Sequence, residues 1–149
     1  MAISTEATLA ERLDRLEAIE EIRRVAYRYC HGLDRRDLEA FSAAWHADGA
    51  WVLGPDAVVN GIDAIRETVT TGIWPAFTET HHWTSNLAIQ VDGDTATATC
   101  DVDATVRDTD GNWLRASAVY DDTYERRDGR WGLTRREGTV HFQEPFAKP

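Results

Sequence analysis

The chain is short of cysteine, short of basic residues and without a long apolar run, and each shortage removes a class of function. Two cysteines in 149 residues, Cys30 and Cys100, are too few for a disulfide framework and too sparse for a zinc site. Sixteen Lys and Arg stand against 26 Asp and Glu, a formal net charge of −10. Such a chain has no excess of cations to displace phosphate counterions, which argues against nucleic acid and equally against anionic membrane surfaces. No stretch approaches the ~18 consecutive apolar residues of a membrane span. The opening residues M-A-I-S-T-E-A-T lack the basic-then-apolar order of a secretory signal, so a cytoplasmic protein is expected. There is no H-x-x-x-H, no G-x-G-x-x-G, no phosphate loop and no G-x-S-x-G elbow. Neither a metal nor a cofactor is expected.

What remains is an ordinary globular composition, 42% hydrophobic and 28% charged, long enough for one domain, 1–149, with a real core. Apolar residues at Leu9, Leu13, Leu16, Ile19, Ile22, Ala26, Tyr29 and Leu33 recur in steps of three and four, the signature of an amphipathic helix. Ser4 or Thr5 is placed to cap its start, and Gly32 to end it. Asp34 follows, and either it or Asp37 caps a second short helix, Leu38–Trp45. Ala50–Leu53 reads as a short strand, closed by Gly54-Pro55. Ile62, Ile65, Val69 and Ile73 give a third helix. It should stop near Gly72–Trp74, because Pro75 does not suit a helix interior.

From Thr80 the periodicity becomes extended. Asp-Gly pairs at 92–93, 110–111 and 128–129 are strong hairpin signals. They imply four antiparallel strands, Thr80–Val91, Thr95–Arg107, Asn112–Arg126 and Arg130–Phe142. Fourteen-residue strands of roughly 45 Å must twist and curl. Helices are available to fill the concave face, so the expected class is α+β.

Alternation then sorts side chains onto faces. Cys100, Val102 and Ala104 oppose Asp101 and Asp103. Leu114, Ala116, Ala118, Tyr120 and Tyr124 share a face, as do Thr134, Arg136, Val140 and Phe142. In the first strand His82 and His81 project oppositely, so they cannot chelate one metal together. Alternation alone puts His81 on the apolar side, and periodicity does not choose between the two. A histidine at a strand mouth beside Trp74, Phe77 and Trp83 suits proton transfer; a structural histidine with satisfied hydrogen bonds is the competing reading. The apolar set Trp83, Leu87, Ile89 and Val91, opposite His82, is expected to form an exposed patch that needs a partner.

Three motifs carry a resemblance: Tyr29-x-x-x-x-Asp34, W-P-x-F-x-E-x-x-H ending on His82, and Y-E-R-R-D-G-x-W from Tyr124 to Trp131. Over about Leu13–Phe142 the chain resembles the SnoaL-like, nuclear-transport-factor-like superfamily, which includes hexachlorocyclohexane dehydrochlorinase, scytalone dehydratase and bile acid 7α-dehydratase. The resemblance implies a cone-shaped α+β barrel, with N-terminal helices in the concave face of a strongly bent, mostly antiparallel sheet, assembled as a homotrimer. It implies His82 as the base that takes a proton from carbon, Asp34 as its orienting carboxylate and Arg136 as a pocket residue. The dehydrochlorinase has a lysine where this chain has Tyr29, and apolar residues where it has Asp101 and Asp103. A tyrosine five before the aspartate is similar to the bile acid enzyme. Chloride leaves unaided, whereas hydroxide needs a proton, which Tyr29 can supply.

The expected function is therefore a cofactor-independent lyase, dehydratase-like, acting on a bulky alicyclic or polycyclic hydrophobic small molecule. His82, Asp34, Tyr29, Arg136 and Asp103 would carry the chemistry; Trp51, Leu53, Phe77, Tyr120 and Phe142 would form the walls. An isomerase or polyketide-type cyclase using the same histidine and aspartate is the alternative. A non-catalytic binding or partner subunit of the same fold is a third possibility.

Overall fold

The structure is a computed structural model that describes residues 7–147; the expected caps Ser4 and Thr5 lie outside the described residues. Helix α1 spans Leu9–Asp34. Thr8 caps it, its hydroxyl accepting from Glu11 N–H while the Glu11 carboxylate accepts from Thr8 N–H, a capping box. Its buried stripe is Ala18, Ile22, Val25, Ala26, Tyr29, Cys30 and Leu33. The expected stripe is thus real only in the second half, because Leu9, Leu13 and Leu16 are exposed. Gly32 does not end the helix. It lies inside it because α2 (Leu38–Ser42) crosses there: a Cβ on Gly32 would stand 2.3 Å from the Phe41 backbone nitrogen. Asp37 caps α2 through Ala40 N–H, leaving Asp34 free. Trp45, expected at the end of α2, instead opens β1.

Strands β1 (Trp45–Gly54) and β2 (Ala57–Asn60) form a hairpin that the sequence reading reduced to one short strand. Helix α3 (Ile62–Glu67), a π-helical segment Thr68–Ile73 and the single turn α4 (Trp74–Ala76) follow, with Pro75 at the start of α4. The rest is sheet: β3 (Phe77–Thr84), β4 (Ala88–Asp92), β5 (Thr95–Asp108), β6 (Trp113–Arg127) and β7 (Arg130–Pro145). The strand order is β2-β1-β7-β6-β5-β3, with β4 also on β5. Every pairing is antiparallel except that of β1 with β7. The sheet is strongly curved and does not close on itself. All three Asp-Gly pairs fall at hairpin turns; Asp128 and Gly129 both have positive φ, at 51° and 75°, as a two-residue primed turn demands.

The inner face is easiest to follow in β5, where Ala96, Ala98, Cys100, Val102 and Ala104 are buried and alternate with outer residues. These small side chains leave room for α1 and for the aromatic cluster of Tyr29, Phe41, Trp45 and Trp51, whose rings lie 5.1–6.3 Å apart. Directly paired residues share a face, so the register assigns the rest. Ala104 pairs with His82 and Ala116; Cys100 pairs with Tyr120; Ala98 pairs with Asp122, which pairs with Arg136.

Two departures from simple alternation follow. The expected strand Thr80–Val91 breaks at Ser85–Leu87, and beyond the break Ile89 and Val91 pair with Ala98 and Ala96 and pack on the core. They leave the expected outer patch, while Trp83 remains exposed. In β7 the register shifts at Thr134 and again at His141. Such bulges invert the count of faces, so Phe142 pairs with Ser117 and falls on the side opposite Arg136.

Candidate active site

Asp34 is the last residue of α1, where the helix dipole disfavours a carboxylate. Three donors offset this. The Thr80 hydroxyl donates to Asp34 Oδ1 at 3.0 Å, the His82 N–H to Oδ2 at 2.8 Å, and the His82 ring, through Nδ1, meets Oδ1 at 2.6 Å. The carboxylate can only accept, so Nδ1 carries the hydrogen and Nε2 presents its lone pair. The two side chains are 16% and 11% exposed, Asp34 and His82 respectively, a little more open than the core around them.

The strand that carries His82 is registered against α1 by two anchors. Trp74 Nε1 donates to the Leu33 carbonyl at 3.0 Å. Arg36, held in a left-handed conformation at φ 55°, donates to the carbonyls of Trp74 and Phe77. The first anchor satisfies a carbonyl of the α1 C-terminus, which has no partner inside the helix.

Deeper in the interior lies a buried ion pair. Arg136 donates through Nε and Nη2 to the two oxygens of Asp122 at 2.8 and 2.7 Å, and Asp122 also accepts from the Tyr124 hydroxyl at 2.7 Å. The guanidinium sits in the corner formed by the rings of Tyr29 and Tyr120, 4.1 and 4.3 Å from their centroids, the two rings standing edge to face at 75°. Burial by itself disfavours the charged arginine, but Asp122 outweighs it and holds Arg136 well above its ordinary value. Burial likewise raises the phenols of Tyr29 and Tyr120. Cys30, one turn before Asp34, is within electrostatic reach of both Asp34 and Arg136. Dyad and ion pair share the inner face of the sheet, since His82 pairs with the buried Ala104, and Arg136 pairs with Asp122, which pairs with the buried Ala98. A buried ion pair is weak evidence for stability, and an unpaired buried donor costs about 1–3 kcal/mol. Arg136 Nη1 is such a donor.

Of the expected residues, the structure gathers Asp34 with His82, and Tyr29 and Tyr120 around Arg136, with Trp51 edge-on against Tyr29. Asp103 is a correction. It pairs with Trp83 in the sheet register and forms a bidentate ion pair with Arg115, on the outer face away from His82. Phe142 is another, since it lines the same outer cleft of about 570 Å³ as Trp83, Asp101, Asp103 and Arg115. Leu53 is exposed, and Phe77 is half-buried at the start of β3. Thr80 and Asp122 were missed by sequence reasoning. Asp122 had a readable signal, since it has the parity of Tyr120 and Tyr124 on a strand whose even positions face inward. Among the described residues, no group of three or more His, Cys, Asp and Glu is arranged to hold a metal ion.

The sequence profile of the SnoaL-like domain matches residues 14–137. The chain belongs to the SnoaL-like family. Within it, the chain is 28% identical over 137 residues to hexachlorocyclohexane dehydrochlorinase 1 of Sphingobium indicum, covering 91% of this chain and 89% of that protein. The crystal structure of a type 2 hexachlorocyclohexane dehydrochlorinase superposes with a TM-score of 0.87 at 26% identity, over 91% and 93% of the two chains. A scytalone-dehydratase-like protein from Novosphingobium aromaticivorans superposes with a TM-score of 0.81 at 27% identity, over 91% of each. The helices and open, curved sheet described above are thus the cone-shaped α+β architecture of this SnoaL-like family.

Proposed function

We propose that the chain is a cofactor-independent lyase that removes a proton from carbon of a bulky alicyclic or polycyclic small molecule, with His82 as the base. The observation that carries this reading is the 2.6 Å contact between His82 Nδ1 and Asp34. It fixes the tautomer that leaves Nε2 free to accept a proton, and the carboxylate stabilises the imidazolium that results. The kinship to enzymes named as hexachlorocyclohexane dehydrochlorinases supports elimination as the reaction type. A hydroxyl leaving group is the finer part of the proposal. It rests on Tyr29, whose phenol beside Arg136 can assist departing oxygen where chloride would need no help. The same proposal places the enzyme in the cytoplasm, in keeping with two buried free cysteines, and as a trimer.

The test uses cyclic β-hydroxyketones and hexachlorocyclohexane, following water loss and chloride release. His82→Ala should lose at least ~10²-fold in rate with its fold intact, the worth of a general base. His81 lies on the outer face, stacked at 6.1 Å with Trp83 and Trp113, so His81→Ala should change the rate far less. Equal losses in the two variants would defeat the assignment.

A further inference from the structure

Arg136 spends two of its three nitrogens on Asp122, and the third, Nη1, is buried without a hydrogen-bond partner among the described residues. The plane of the guanidinium is held by its two bonds to Asp122, and the rings of Tyr29 and Tyr120 pack against it. Asp122 is itself held by the Tyr124 hydroxyl and is almost wholly buried. The arrangement therefore fixes one open donor in place. It also has a charge consequence. The cation of Arg136 is cancelled by Asp122, and the part-buried carboxylate of Asp34 is matched by His82 only once that ring has taken up a proton. A neutral ligand leaves this balance undisturbed. An anionic ligand would add a charge that neither Arg136, already paired with Asp122, nor neutral His82 offsets, which is disfavoured.

We propose that Asp122 is a positioning and specificity-determining residue: it aims Arg136 Nη1 at an uncharged oxygen of the substrate and, by cancelling the arginine's charge, bars anionic ligands from the same spot. This rests on the reading that the interior beside His82 receives a small molecule, and it narrows that molecule to ketones and alcohols without a carboxylate at this end. Oxyanion character then develops only as the proton leaves carbon, when Nη1 gains most as a donor.

The test compares cyclohexanone with cyclohexanecarboxylate at pH 7 and constant ionic strength, reading the side-chain NMR signals of Arg136 in protein labelled at arginine nitrogen. Cyclohexanone should bind at least ~10-fold more tightly than the carboxylate. In Asp122→Asn, which keeps the shape and one acceptor but removes the charge, the ratio should move toward the carboxylate by at least ~10-fold. A ketone that fails to move the Arg136 signals, a carboxylate that binds the parent equally well, or a ratio unchanged in Asp122→Asn would each overturn the proposal. Should Asp122→Asn not fold, the parent ratio decides alone. His81→Ala, on the outer face, should leave the ratio as in the parent. Loss of elimination in His82→Ala is read in a separate rate assay, so failure of the base assignment and failure of this inference are distinguished.

Discussion

Burial holds the Tyr29 phenol well above its ordinary value of 10, so at any working pH Tyr29 is a donor and not a phenolate. Tyr29→Phe keeps the ring that stacks on Arg136 and should cost little stability. Water loss from a β-hydroxyketone should slow by about 10-fold or more, mainly in kcat, the worth of one hydrogen bond made as the carbon–oxygen bond breaks. Chloride release from a matched chlorinated ketone should be unchanged. Dehydration at the parent rate would remove Tyr29 from the mechanism. Several residues of this site were legible before the fold was known, but for different reasons. Asp34 was, through the resemblance, since the sequence left the α2 cap open between it and Asp37 and only the structure gives that cap to Asp37. His82 was not legible from alternation, which favoured His81. The aromatic neighbours that made that side look buried form an outer stack of His81, Trp83 and Trp113. Kinship, and then the contact with Asp34, separated the two. Asp103 looked like a pocket acid only because nothing in a single sequence pairs it with Arg115, twelve residues on.

Elements were easier to read than their faces. The hairpins followed from Asp-Gly turns, and the core half of α1 from its spacing. Bulges defeated the rest, since one extra residue at His141 moves Phe142 across the sheet and no residue type announces it. Gly32 was read as a stop signal when its reason is a crossing of helices. Gly32→Ala tests this. A helix interior ordinarily gains about 1 kcal/mol from that change, but here the added methyl meets backbone of Phe41 at 2.3 Å, which cannot move as a side-chain tip would. A net loss of about 1–3 kcal/mol is expected, as for overpacking, measured as a lower urea midpoint with unchanged slope. A midpoint at or above the parent value would show that the two helices tolerate a wider separation.

For the molecule as a whole, the class, the helices-first order and the mostly antiparallel sheet were all within reach of the sequence, because pattern and turn chemistry agree over roughly the last half of the chain. The parallel pairing of β1 with β7 was not, since it joins residues more than eighty positions apart. The outer face keeps Trp83 and Phe142 exposed around its cleft, and these, without Ile89 and Val91, are what a trimer would cover. Light scattering at micromolar concentration should give the mass of three chains, and Trp83→Asp should lower it; a monomeric parent would refute the assembly. The other end of the molecule is built differently. From residue 9 to 17 every position of α1 is exposed, so these turns overhang the core like a cantilever, with no apolar ballast. Among the described residues its stay is Arg126, which grips Asp14 with two nitrogens and Asp94 of the β4–β5 turn with a third. An overhang also has to brace its own tip, and the reciprocal Thr8–Glu11 bonds do this.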